Sequence, residues 1–273
     1  MTKTRSLTLG LAGVALLAAA CSAQSGTSGA SGGAAMAATA SGANGQNSAN
    51  GADSANGTNG GLAKVLFLGD SIAVQEALPL AAAFKASNVQ FQSIAADGGG
   101  NVLGPDSDHN WQALPGQIAS AKPTVLVYQI ASYDWGSQQD QQAAYQKLLT
   151  TATANGAKLV FVTMPPIKAD DFYQPHLADL AHTKAAAQAV AASSPNQAAV
   201  LDAAAVWGPS YQQDRDGKPD RSRDGVHTCP QSAARFTNWL LDQLHGQFAG
   251  FHPAAAQTWA NAGWSASPDF HGC

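Results

Sequence analysis

The chain has 273 residues, 45% of them hydrophobic and 12% charged, enough apolar material for one sizeable buried core and one catalytic-size domain. A formal charge of −4 and a pI near 5.9, with Lys and Arg scattered, leave no basic field to neutralise phosphates. Nucleic acid is excluded as a partner.

At the N-terminus, Lys3 and Arg5 form a positive region ahead of an apolar stretch, residues 7–20, too short to span a bilayer comfortably. Residues 1–21 therefore read as a signal peptide that is cleaved on export. Leu17-Ala18-Ala19-Ala20-Cys21 resembles a bacterial lipobox, in which small residues precede a cysteine that becomes the lipidated first residue of the mature protein. Ordinary signal-peptidase cleavage nearby is the alternative, and either route exports the protein. A lipid on Cys21 would be its one link to a membrane, on the outer face. The chain has three cysteines, so lipidation of Cys21 leaves Cys229 and Cys273, an even pair for a disulfide in an oxidising compartment. Two free thiols are the bland alternative.

Residues 22–61 are almost entirely Gly, Ala, Ser, Asn and Thr, with no aromatic residue. This is the composition of a flexible tether, with a root-mean-square span of about 35 Å. Beyond it, in residues 62–246, short apolar runs alternate with helix-like stretches, the signature of βαβ units and a mainly parallel sheet. Strands are expected at 64–68, 89–94, 124–130, 158–163 and 199–201, and helices at 72–87, 111–121, 138–154, 176–192 and 231–245. Gly156 suits a left-handed helix C-cap and Pro230 a first helical turn. Residues 247–273 form a tail without clear periodicity.

Two short motifs carry chemistry. The first predicted strand runs into Gly69-Asp70-Ser71, where a helix begins. That places Ser71 at the carboxyl edge of the sheet, with helical N–H groups and positive dipole aimed at any anion there. Taken alone, the tripeptide would be no more than a turn with Ser71 as helix N-cap. The second motif, Asp224-Gly225-Val226-His227, precedes the last helix of the domain. A histidine that takes a serine proton needs a carboxylate on its far nitrogen, and an Asp three residues earlier can curl round to supply it. Asp214-Arg215-Asp216-Gly217-Lys218-Pro219-Asp220 has acidic spacing faintly like a calcium loop. Its neighbouring Arg and Lys favour a polar turn.

In these motifs the chain resembles the SGNH (GDSL-like) hydrolases over roughly residues 64–245, most closely the actinobacterial SGNH domains found alone or fused to membrane acyltransferases. The resemblance implies a flavodoxin-like three-layer α/β/α sandwich with a mainly parallel five-stranded sheet. It also implies ester hydrolysis or acyl transfer without metal or other cofactor, on an acylated carbohydrate or lipid; an inactive SGNH domain that binds envelope glycans is the further alternative, and a monomer is expected. Ser71 would be the nucleophile, His227 the proton shuttle and Asp224 its orienter. The family's oxyanion hole combines the serine N–H, a Gly N–H after the second strand and an Asn side chain after the third. Gly98 is the best match for the second donor and Gly99 the fallback. Where many members have Gly-x-Asn-Asp, this chain has Ala131-Ser132-Tyr133-Asp134, so the Asn is missing and Tyr133 or Asn101 is the candidate replacement. Asp70, Gly99, Asp134 and Trp135 are expected around the substrate. Trp111, Tyr133, Trp135 and Tyr173 could line a sugar or acyl pocket, or simply pack.

Overall fold

The computed structural model describes residues 61–273, so the signal-like segment, Cys21 and nearly all of the predicted tether lie outside the described residues. Five parallel strands, β1 (Lys64–Leu68), β2 (Gln90–Ser93), β3 (Val125–Gln129), β4 (Lys158–Val162) and β5 (Ala198–Leu201), lie in the order β2-β1-β3-β4-β5. This is the doubly wound order of the flavodoxin-like sandwich. Strands β1, β3 and β4 are near-continuous apolar runs because helices cover both of their faces. The edge strand β2 is polar and mostly exposed.

Alternation along the strands divides the core in two. Val65, Phe67, Val125, Val127, Val160 and Val162 pack against α1 (Ser71–Ala86) and, later in the chain, α7 (Pro230–Gln247). Leu66, Leu126, Tyr128, Leu159 and Phe161 face α2 (Ser107–Ala121), α3 (Gln138–Ala154) and α5 (Thr183–Ser193). Two short helices, α4 (Leu177–Leu180) and α6 (Ala204–Trp207), complete the layers. The expected elements are all present, with two differences of physical interest.

The helix anticipated over 176–192 is broken. A 3₁₀ turn, Gln174–His176, leads into α4, and α5 starts only at Thr183. At the break the Asp179 carbonyl accepts from the Gln141 side chain (2.8 Å) and from His182 N–H (3.1 Å), while Thr183 Oγ1 donates to Leu180 O (2.8 Å). These bonds displace the regular helical ladder. The tail is also more than a tail. Phe251 and Trp259 are buried in the cluster formed by α1, α7 and β1. The Cys229–Cys273 disulfide, with Cα atoms 5.7 Å apart, closes this segment onto the start of α7.

The calcium-like acidic stretch is a hairpin. Strands β6 (Asp214–Arg215) and β7 (Lys218–Pro219) pair across Asp216 and Gly217, both at positive φ (54° and 74°), as a two-residue hairpin turn of the primed kind requires.

Candidate active site

In this strand order the chain reverses direction across the sheet between β1 and β3, and ligands of doubly wound sheets bind outside the carboxyl ends at that point. The β1 end delivers residues 69–71 and the β3 end residues 130–135. Asp70 ties the two together. Its Oδ1 accepts from Ile72 N–H (3.0 Å), capping α1, and its Oδ2 accepts from Ser132 N–H (2.6 Å) and Ser132 Oγ (2.7 Å). Burial raises its pKa, and the Ser132 and Ile72 hydrogen bonds pull against that rise. Asp70 is 1% exposed, so it braces the nucleophile turn from below and does not line the substrate space that sequence assigned to it.

Ser71 opens α1, and its Oγ lies 2.8 Å from His227 Nε2. His227 Nδ1 lies 2.8 Å from Asp224 Oδ2. The other oxygen of Asp224 accepts from the backbone N–H groups of Val226 (2.8 Å) and His227 (3.0 Å), so one carboxylate both folds the loop and orients the ring. Partial burial pushes the Asp224 pKa up. The amides of His227 and Val226, together with the imidazole, outweigh this and hold it at about 2. Gly225, at φ 80°, makes the turn possible. A Cβ there would lie 2.8 Å from Lys168 Cβ, because the loop after β4 packs directly against it.

The remaining expected positions divide. Gly98 is exposed at φ 63° on the loop after β2, and Gly99 N–H is engaged by the Ala96 carbonyl (3.2 Å). The position where only glycine fits is Gly100, at which a Cβ would fall 1.9 Å from Gly69 O. This is where the glycine run meets the nucleophile turn. Asn101 is corrected. Its Nδ2 donates to Leu103 O (2.6 Å) and Pro105 O (2.8 Å), and its Oδ1 accepts from Asn110 (2.9 Å). With both amide hydrogens spent on its own loop, it has none for an oxyanion.

Asp134 is corrected as well. It is fully buried and accepts from Tyr128 Oη (2.7 Å), Tyr145 Oη (2.9 Å) and the amides of Val102 (3.2 Å) and Leu103 (3.4 Å). It joins the loop after β3 to the loop after β2 from the interior. Burial raises its pKa to about 7 in spite of the tyrosine and amide hydrogen bonds. Tyr133 and Trp135 instead face outward into an aromatic group with Phe172 and Tyr173. The Tyr133 ring packs against that of Tyr173 (6.2 Å between centroids), whose hydroxyl lies 3.3 Å from Ser132 Oγ. Trp111 packs on the far side of the sheet, its Nε1 donating to Val102 O (2.9 Å).

Several supporting residues carried no legible sequence signal. Gln75, one turn beyond Ser71 on α1, accepts from Thr228 N–H (2.7 Å) and donates to Asp269 O (2.7 Å), clamping the helix to the histidine loop and the tail. Ser222 Oγ bonds Asp224 Oδ2 (3.1 Å) and His271 O (2.9 Å). The guanidinium of Arg221 holds the carbonyls of Val226 and His227, and Glu76, wholly buried, supplies a carboxyl near it. Burial pushes Glu76 well above the usual carboxylate range. The one clue to this pair was a Gln-Glu dipeptide in an otherwise apolar stretch of α1. Asp224, His227 and His271 present donor atoms within 4.8 Å of one another, the one such group of potential metal ligands among the described residues. Two of the three are already bonded to each other, and His227 also to Ser71.

A three-layer sandwich of order 2-1-3-4-5 with hydroxyl, imidazole and carboxylate in line at its carboxyl edge defines the class of acyl-ester hydrolases and acyltransferases of SGNH type. The family model for the SGNH domain (fused to AT3 domains) matches residues 38–211, more than half of the chain, which therefore belongs to the SGNH family. That match ends before Asp224 and His227, so their placement rests on the geometry above. Among solved structures, a proposed acylhydrolase from Bacteroides fragilis is similar at 17% identity, covering 68% of this chain and 88% of that one, with a TM-score of 0.52. A GDSL-like lipase from Bacteroides thetaiotaomicron is similar at 12% identity, covering 68% and 89%, with a TM-score of 0.51. At these identities the likeness speaks to fold alone. No curated protein sequence matches the chain.

Proposed function

We propose that this protein is an exported serine esterase that hydrolyses acyl esters of cell-envelope carbohydrate or lipid through Ser71, His227 and Asp224. The observation that carries this reading is the unbroken line of contacts from Ser71 Oγ to His227 Nε2 and from His227 Nδ1 to Asp224 Oδ2, both 2.8 Å. In the reaction, Ser71 Oγ attacks the acyl carbonyl carbon as its proton passes to Nε2. The tetrahedral oxyanion faces the Ser71 N–H at the start of α1, an amide that helix geometry leaves without an intrahelical partner. Collapse breaks the ester C–O bond, and Nε2 returns the proton to the leaving alkoxide. Water then attacks the acyl-serine with His227 as base, releasing the acid and restoring Ser71.

A second reading, O-acyl transfer, differs only in that final step: a glycan hydroxyl replaces water. One observation favours it, namely the description of the matched family as fused to AT3 domains. Export, lipid attachment at Cys21 and kinship with actinobacterial domains belong to the same reading, on the residues given above.

The test is intact-mass detection of the acyl-enzyme with activated short-chain esters, followed by product analysis with water alone and with glycan acceptors. Ser71→Ala should show no adduct and no turnover while retaining its fold. Water-only turnover supports the esterase and acceptor-dependent turnover the transferase. A wild-type protein that forms no adduct, or a Ser71→Ala variant with wild-type turnover, would overturn the assignment.

A further inference from the structure

The segment between β4 and α5 carries the most conspicuous apolar exposure in the described part of the molecule. Phe172 is 53% exposed, while the neighbouring Tyr173 is 6% exposed. Phe172 is held in place and does not dangle. Asp170 Oδ1 accepts from the N–H groups of Phe172 (3.1 Å) and Tyr173 (3.2 Å), fixing the turn. The Phe172 ring meets Trp135 and Tyr173 edge-on, at 5.3 and 5.0 Å between centroids, and Tyr133 at 6.1 Å. Trp135 is locked in turn by a flat stack on His176 (3.5 Å, 3° between planes) and by its Nε1 bond to Ser132 O (2.8 Å). Phe172, half open to water beside the partly exposed Tyr133 and Trp135, gives a rigid aromatic surface that a ligand would cover.

The shelf is anchored to the reactive residues. Tyr173 packs with Ile72 and Val226, each adjacent in sequence to a member of the Ser71–His227 pair, and Trp135 packs on the same cluster. A ligand lying on Phe172, Trp135 and Tyr133 would therefore rest on the packing unit that also seats the residues next to Ser71 and His227. The chemistry of the shelf selects its occupant. A long acyl chain needs an enclosed apolar channel, and a half-exposed phenylalanine on a turn does not supply one. The two residues preceding Phe172 are Asp170 and Asp171, both exposed, which disfavours phosphate-bearing headgroups or anionic polymers and offers acceptors to hydroxyl groups. Apolar ring faces beside carboxylate acceptors match a neutral pyranose, whose C–H face stacks on an aromatic ring while its hydroxyls donate outward.

We propose that Phe172, Trp135 and Tyr133 form a binding subsite for a neutral sugar ring of the acylated glycan, a proposal that rests on the reading of Ser71 as acyl nucleophile. The subsite sets specificity for carbohydrate over lipid and holds a sugar hydroxyl toward the acyl-serine.

The experiment has two arms. In the first, Ser71→Ala protein, which cannot turn over, is titrated with neutral trisaccharides built from glucose, mannose, xylose or N-acetylglucosamine, with tryptophan fluorescence and protein NMR as readouts. At least one should bind. Adding Phe172→Leu should weaken it about tenfold, whereas Phe172→Tyr should stay within about twofold, because stacking on a sugar needs a ring and generic apolar contact does not. In the second arm, Phe172→Leu in the otherwise native protein should lower kcat/KM for an O-acetylated oligosaccharide about tenfold relative to its effect on a small soluble acetate ester. If no trisaccharide binds, or if Phe172→Leu binds as well as Phe172→Tyr, the sugar subsite is wrong. If the second arm shows a loss that instead grows with acyl-chain length on sugar-free esters, the shelf holds the acyl group and the proposal falls. Binding without any turnover by the native protein would leave the subsite standing and overturn the esterase reading instead.

Discussion

Asp134 offers a test in which the sign of a pH effect decides between two physical accounts. Its carboxyl is fully buried, and burial displaces its pKa from an ordinary 3.8 to about 7. A carboxyl with a raised folded pKa binds a proton in the native state over a range where the unfolded chain has lost it. Its contribution to stability is thus complete below about pH 4 and is lost as pH rises through about 7. A displacement of about three pH units at 1.36 kcal/mol each is worth about 4 kcal/mol, of which about 3 kcal/mol falls between pH 4.5 and 8.5. Asp134→Asn removes the titration while keeping the shape, so subtracting its stability from wild type cancels every other titrating group. Urea denaturation of both proteins across that window should show the wild-type advantage shrinking by about 3 kcal/mol toward alkaline pH. An ion-paired carboxylate with a lowered pKa gives the opposite slope, and an unshifted surface carboxylate gives none. If the difference between the two proteins is flat, or grows with pH, Asp134 is ionised throughout. Its four hydrogen bonds would then offset its burial, or outweigh it where the difference grows.

Three further outcomes are expected. Tyr133→Phe should change kcat by less than about threefold, since the Tyr133 ring is packed among Trp135, Phe172 and Tyr173, and a loss of tenfold or more with constant KM would reinstate it as the oxyanion donor. Asp224→Ala should lower kcat/KM strongly, though less than Ser71→Ala, because the imidazole loses its orienting carboxylate but can still act as base part of the time; equal losses in steady-state kinetics would contradict that ranking. Reduction of Cys229–Cys273, which closes a separation of 44 residues, should cost about 4 kcal/mol in chemical denaturation, and peptide mapping that finds both thiols free in native protein would refute the bond itself.

What was legible in the sequence was local. The nucleophile turn, the Asp-x-x-His loop and the alternation of apolar runs with helical patterns each depend on residues a few positions apart. Their assembly needs only the parallel sheet to bring them to one edge. What was misread depended on where each side chain's hydrogen bonds go. Asn101 and Asp134 look like site residues because polar groups near strand ends usually are. Asp134 is claimed by Tyr145 and the amides of Val102 and Leu103, 11, 32 and 31 residues away and set by tertiary packing, and Asn101 by the carbonyls of Leu103 and Pro105 in an irregular loop whose path no period announces. The tail was opaque for a different reason. Phe251 and Trp259 are buried singly from irregular backbone, so no period announces them.

The tie from Gln75 has a consequence for the order in which the molecule matures. One carboxamide near the beginning of the domain grips Thr228 and Asp269, at sequence separations of 153 and 194 residues, and Ser222 reaches His271 across another 49. Contacts of such span form only after most of the loop-closure entropy has been overcome, so the reactive edge is among the last regions to be completed during folding. Ser71 emerges from the ribosome long before the groups that would activate it. Until residues around 270 are in place, the Gln75–Asp269 and Ser222–His271 ties that brace the histidine loop cannot form. Assembly of the reactive edge is thereby coupled to docking of the tail, and a chain clipped before Asp269 is expected to lose the Gln75 tie together with turnover of activated esters.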